Sequence, residues 1–176
     1  MVVFDTSVVL LTLNPSAPGP LDPATGIPLT HADLRVKFLL KQLSDQKVQV
    51  GIPTPVLSEF LVMAGPKKQE FANAFISSGN FKLFTFDELA AIEVAFLEDA
   101  DLKSGRALDA NTTKAKVKFD RQIIAIAKVN RADVLYCSDD KLGSVAEKNK
   151  IKVIYTWDLP MPPEDKQVKL FPDEKP

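Results

Sequence analysis

Four carboxylates in this sequence are candidates for chemistry. Asp5 interrupts the apolar run VVFDTSVVLL at residues 2–11, and burying a lone carboxylate in such a run is expensive unless something compensates it. Glu59 lies in TPVLSEFLVMAG, with Val56 and Met63 three and four positions away, so it shares a partly apolar helix face. Asp120 stands at the start of FDRQIIAIAKVNRA, and Asp139 follows DVLYCS. Carboxylates that meet in space repel, and some must take up protons unless a cation joins them. An all-oxygen donor set suits Mg²⁺ or Mn²⁺, whereas a single His31 and a single Cys137 do not suit zinc. One or two such ions activate water and steady the charge on a phosphodiester during hydrolysis.

The elements around these acids decide whether they meet. VVFD (2–5) reads as a short strand, VQVGI (48–52) as a second, FKLFTF (81–86) as a third, DVLYCS (133–138) as a fourth and IKVIYT (151–156) as a fifth. Between them, helical spacing or capping patterns mark 30–46, 54–65, 67–79, 85–102, 119–132 and 140–150. Thr30 with Asp33, and Thr85 with Glu88, match capping pairs. Residues 14–28 carry five prolines and two glycines and read as a loop. Residues 103–117 lack a period and read as a loop or a frayed helix end. Residues 157–176 are rich in proline and charge and read as an extended tail, leaving 1–156 as one domain.

Strands that alternate with helices, several of them apolar throughout, belong to a three-layer α/β/α sandwich with a mostly parallel sheet of five strands. Ligands of such sheets sit beyond the carboxyl ends of the strands. Asp5 and Asp139 end strands, and Glu59 lies in the first turns of the helix leaving the second strand. Asp120 begins a helix that runs back to feed the fourth strand, which puts it at the same edge. All four acids are therefore expected on one rim.

Each acid also has a purely structural reading. Asp5 could cap a turn, Glu59 could be a solvated helix acid, Asp120 could be a helix cap, and Asp139 or Asp140 could open the next helix. Lys114, Lys116, Lys118 and Arg121 adjoin Asp120 and read singly as a solvated loop; together, beside an acidic rim, they could hold phosphates. Asp33, Asp87 and Glu88 read as first-turn helix acids, and Cys137 as a small buried residue.

The composition narrows the class. The net charge of -1 excludes a polybasic nucleic-acid arm or membrane-surface binder, though a local basic rim can coexist with an acidic pocket. With one cysteine there is no internal disulfide, which fits a reducing compartment. The first residues lack the pattern of a signal peptide, and no apolar stretch approaches the ~20 residues of a membrane span. The expectation is a cytoplasmic chain with no membrane contact.

VVFDTSVVL, IPTPVLSEFL, FDRQIIAIAKVNRAD and ADVLYCSDDKL, in this order across roughly residues 2–156, resemble the PIN-domain ribonucleases, the group that includes VapC-like toxins of toxin–antitoxin pairs. The resemblance implies a sheet in the order 3-2-1-4-5 and a Mg²⁺- or Mn²⁺-dependent endonuclease acting on RNA. It implies that Asp5, Glu59, Asp120 and Asp139 are the catalytic, metal-binding acids, with Asp140 as a replacement or helper for Asp139. Asp139 is preferred because ADVLYCSD aligns from Ala132 without a gap. Ser7 takes the place of a small polar residue that orients a ligand or water, and Lys118 and Arg121 are candidate substrate contacts. Where the family commonly has Thr or Ser two positions before the fourth acid, Cys137 stands. A small antitoxin protein and a homodimer are the implied partners besides RNA, with residues 67–102 as a candidate surface.

Three other readings compete. A PIN-like chain can serve as an RNA- or protein-binding module without catalysis, although such members usually lose some of the acids. A haloacid-dehalogenase-like phosphatase would use Asp5 as nucleophile but expects a second aspartate where Ser7 stands. A metal-adhesion module would use Asp5 and Ser7 but is broken at Val9.

Overall fold

The computed structural model describes residues 1–77, 79, 81–103 and 113–163. In chain order the elements are β1 (Val2–Phe4), α1 (Thr6–Leu13), α2 (Ala32–Asp45), β2 (Val50–Pro53), α3 (Thr54–Met63), α4 (Lys68–Ser77), β3 (Phe81–Phe84), α5 (Glu88–Lys103), α6 (Lys114–Val129), β4 (Val134–Cys137), α7 (Asp140–Lys148) and β5 (Lys152–Tyr155). The five strands form one sheet in the order β3-β2-β1-β4-β5, and every pairing is parallel. This is the expected three-layer sandwich. Successive strand residues point to opposite faces, yet Val2, Val3 and Phe4 of the central strand are all buried, so helices cover both faces.

The strands come from apolar β-branched and aromatic residues, and their register sets the functional edge. β1 pairs Val3 with Gly51 and with Leu135, and β4 pairs Cys137 with Tyr155. The residues just past the strand ends therefore fall side by side: Asp5, Ser138 and Thr156. Gly51 is required by close packing, because a Cβ there would run into the Phe84 ring. Gly143 does the same for α7, which rests directly on Tyr155.

Several local expectations change. The residues after Asp5 turn at once into α1, whose sequence TSVVLLTL shows no amphipathic period because Val8, Val9 and Leu11 are all buried. α2 begins at Ala32 after His31 in a left-handed conformation, with no side-chain cap, so Thr30 and Asp33 do not form a capping pair. Asp87, rather than Thr85, caps α5 by accepting from the Ala90 amide at 2.9 Å. β3 is correspondingly shorter than 81–86, ending at Phe84.

The largest difference concerns α6. Thr113 caps it through the Lys116 amide at 3.2 Å, so the helix starts five residues before Phe119 and includes 114–117 from the segment read as a loop. Its polar first turns hid it; Ile123, Ile124, Ala125, Ile126 and Ala127 are all buried in its second half. The expectation for 104–112 lies outside the described residues, as does the tail beyond residue 163. Residues 156–158 form a 3-10 turn. The exposed apolar residues include Leu89, Ile92 and Phe96 on α5, which occupy one helix stripe.

Candidate active site

Helices α1, α3 and α7 each start at the carboxyl end of the strand before them, and the opening turns of α6 arrive at the same edge. Their positive N-terminal ends surround one cavity of about 800 Å³, lined by Asp5, Glu59, Asp120 and Asp139. The four acids that the sequence singled out thus share one wall. Asp140 does not line the cavity; it is exposed in the first turn of α7.

Asp5 is the buried member, 5% exposed. It caps α1: its Oδ1 accepts from the Val8 amide at 3.0 Å and the Ser7 hydroxyl at 2.7 Å. Its Oδ2 accepts from the Ser138 amide at 3.2 Å. Burial pushes the carboxyl up from 3.8 to about 6, although these three donors favour the ionised form. The capping reading and the functional reading of Asp5 are therefore compatible, because the cap aims the carboxylate into the cavity.

A line of hydroxyls stands behind Asp5. Ser7 Oγ lies 2.8 Å from Ser138 Oγ, which lies 2.6 Å from Thr156 Oγ1. Ser7 has one proton to give, and Asp5 accepts it, so Ser138 donates to Ser7 and Thr156 in turn can donate to Ser138 or to the Cys137 carbonyl at 3.3 Å. Ser138 thus places a hydroxyl beside Ser7 and an amide on Asp5, one position after Cys137. Cys137 is buried, and burial raises its thiol well above the usual range, so it stays protonated.

Asp139 caps α7 through the amides of Lys141 (2.8 Å) and Leu142 (3.0 Å), and its other oxygen pairs with the Lys116 ammonium. Burial would raise its carboxyl, but Lys116 and the two amides outweigh that and hold it below the ordinary value. Lys116 is raised in return, chiefly by its bond to Asp139. Asp120 is not a cap: it lies in the second turn of α6, half-buried. Burial first, then the charges of Asp139, Glu59 and Asp5 push it to about 6, against the pull of Lys116. Glu59 is exposed and accepts a bond from the Thr6 hydroxyl.

Among the described residues no three His, Cys, Asp or Glu side chains form a ready-made metal cage. Lys116 occupies one oxygen of Asp139, and the backbone occupies much of Asp5. The donor set nevertheless fits a hard divalent cation: it is all oxygen and partly desolvated, and burial first, with repulsion from neighbouring acids added to it, raises two carboxyls to about 6. A cation would relieve that repulsion. Of the basic group, the cavity wall carries Lys116 rather than Lys118 or Arg121.

Sequence reasoning missed Thr6, Ser138 and Thr156 as supports of the acids, and Phe119 as part of the cavity wall. Thr6 and Ser138 directly adjoin Asp5 and Asp139 in sequence, which was a usable signal. Thr156 had none, since only the β4–β5 register brings it there.

No protein-family model matches the chain, and no curated protein matches it. Among solved structures it is similar to a chain of VapBC2 from Rickettsia felis bound to a DNA fragment from their promoter, with 14% identity, a TM-score of 0.58, and coverage of 88% of this chain and 98% of that chain. It is also similar to a chain of DNA-bound VapBC from Salmonella typhimurium, with 13% identity, a TM-score of 0.54, and coverage of 88% and 97%. The chain has a PIN-like fold, shared over most of its length with these VapBC chains.

Proposed function

We propose that this chain is a Mg²⁺- or Mn²⁺-dependent endoribonuclease that hydrolyses RNA phosphodiester bonds at the Asp5–Glu59–Asp120–Asp139 cavity. The observation that carries the reading is the convergence of these four acids, from four separate elements, on one cavity at the carboxyl edge of the parallel sheet.

Asp5, Asp120 and Asp139 would hold the metal, with Asp5 fixed in place by Ser7, Val8 and Ser138. When bound, the cation supplies the positive charge that makes a water more acidic and balances charge on the phosphate. Glu59, steadied by Thr6, orients that water and accepts its proton. The water oxygen bonds to phosphorus in line with the departing O3′, the P–O3′ bond breaks, and the O3′ takes a proton. The products carry 5′-phosphate and 3′-hydroxyl ends. Lys116 exchanges Asp139 for a non-bridging phosphate oxygen when substrate and cation enter.

The similar structures are VapBC complexes, which supports a toxin role for this chain and a small antitoxin as its protein partner. The exposed row Leu89, Ile92 and Phe96 on α5, within the 67–102 surface, supports a protein contact there, whether with an antitoxin or with a second copy. Among the described residues no helix is long and apolar enough to cross a membrane.

The test is RNA cleavage with Mn²⁺, with EDTA, and with Asp5→Asn. Cleavage is expected only in the first case, with 5′-phosphate ends on the fragments. Undiminished cutting by the variant in EDTA would overturn the reading.

A further inference from the structure

Hydrolysis of a phosphodiester needs a cation, a water and groups that hold charged oxygens. It does not need apolar surface, yet this cavity has a good deal of it. On α6, Ala115, Phe119 and Ile123 run in one row at the helical spacing of four and line the cavity, next to the row of Lys116 and Asp120. On α3, Val62 and Met63 stand three and four residues after Glu59 and line it as well. Phe119 is 42% exposed, Val62 78% and Met63 56%. Large apolar side chains are normally withdrawn from water, so an exposed aromatic beside a charged pocket calls for an occupant.

We propose that Phe119 is a stacking platform for one nucleobase next to the scissile phosphate of single-stranded RNA, with Val62 and Met63 completing the apolar wall. The inference rests on the ribonuclease reading above and adds to it how the substrate is held. Three features favour a base as the occupant. The acids repel the sugar–phosphate backbone except where a cation bridges them, whereas a nucleobase is neutral and flat and can lie along the wall without that cost. Lys116 lines the cavity beside Phe119, and Lys114 and Lys118 are exposed in the same helix turns, so positive charge for the phosphates lies close by. Phe119 also follows a lysine and precedes an aspartate, so it sits in a wet, charged setting. Interleaved aromatic and cationic residues of this kind mark single-strand binding surfaces, where each stacked base is held by its π-face.

A base-paired duplex hides its base faces, so the site selects for unpaired RNA. Phe119 adjoins Asp120 in the chain, so the stacked base fixes where the neighbouring phosphate falls relative to the acids. Phe119 is thus a residue for substrate positioning and strand selection.

The test uses fluorescence anisotropy with a ten-nucleotide single-stranded RNA in Ca²⁺, the same RNA carrying one abasic residue at each position in turn, and its duplex. Phe119→Ala is expected to weaken binding of the intact strand by about 5- to 150-fold, the range for loss of one base–aromatic stack. Phe119→Leu should behave like Phe119→Ala, since it keeps the apolar bulk and loses the ring, while Phe119→Trp should retain binding. One abasic position should reproduce the loss in the wild type and show no further loss in Phe119→Ala. Equal binding by wild type and Phe119→Ala, wild-type binding by Phe119→Leu, or failure of the wild type to bind the strand overturns the inference. Phe119-dependent binding without cleavage in Mn²⁺ would support the stacking site and sink the nuclease reading. Cleavage in Mn²⁺ with a KM indifferent to Phe119→Ala would do the reverse.

Discussion

The raised carboxyl of Asp5 makes a prediction about stability that needs no substrate. Asp5 moves from 3.8 to about 6 on folding because burial disfavours its charge. A carboxyl raised in this way contributes most below its unfolded value, and the contribution is lost as the pH rises towards the folded value. At neutral pH the folded protein therefore carries a cost of about 3 kcal/mol from the ionised Asp5, at 1.36 kcal/mol per pH unit. Asp5→Asn removes that cost. It also sets an amide NH₂ or a carbonyl against the Ser138 amide, the Val8 amide and the Ser7 hydroxyl. One of these donors loses its partner, at about 1–3 kcal/mol. The net effect at pH 7.5 is between neutral and about 2 kcal/mol of stabilisation.

The pH dependence separates the two contributions, because only the charge cost varies with pH. Between pH 4.5 and 7.5 the stability of the variant should rise relative to wild type by about 2 kcal/mol. The assay is urea unfolding in EDTA across that range, read as ΔG in water at unchanged m. Mn²⁺ at a hundred times its Kd should then stabilise the wild type by about 2.7 kcal/mol and leave the variant unmoved. A gap constant with pH, or a variant that loses ground as pH rises, would refute the claim that Asp5 is held ionised at a cost. A site that gives up stability for charge is the expected exchange at a functional centre.

Other expectations concern the surrounding groups. Because Asp5 and Asp120 both take up protons near pH 6 without metal, Mn²⁺ affinity measured by titration calorimetry should fall steeply below that pH, with proton release on binding; a flat profile from pH 5 to 8 would be wrong for this site. The Lys116–Asp139 pair is half-exposed, so Lys116→Met should change urea stability by less than about 1 kcal/mol. It should nevertheless tighten Mn²⁺ binding, since it frees an oxygen of Asp139 and removes a competing positive charge; weaker binding would count against that. Ser138→Ala removes the hydroxyl between Ser7 and Thr156 and should cost about 1 kcal/mol in urea unfolding, together with part of the Mn²⁺ affinity. Gly143→Ala forces a methyl group into Tyr155 and should destabilise by about 1–3 kcal/mol, read as a lowered Tm with unchanged base-stacking behaviour.

The sequence by itself determined the layer architecture, because apolar strands alternating with amphipathic helices have few ways to bury their surfaces, and parallel strands need both faces covered. It also determined which acids share an edge: Asp5 and Asp139 end strands, and Glu59 lies in the first turns of the helix after one. It could not show how those acids are held. The length of α6 was hidden because its first turns lie on the surface and carry no apolar period, so the cap at Thr113 and the places of Lys116 and Phe119 emerged only with the helix in position. α1 was hidden for the opposite reason, being apolar on most sides and buried. The chain of hydroxyls from Thr156 through Ser138 and Ser7 to Asp5 depends on the register of three strands. Whether Asp139 or Asp140 faces the cavity depends on where α7 begins, which the Asp139 cap marks. Hydrophobic pattern is a property of each segment and can be read one element at a time. Register, helix start and side-chain pairing are relations between distant segments, and only the packed chain decides them.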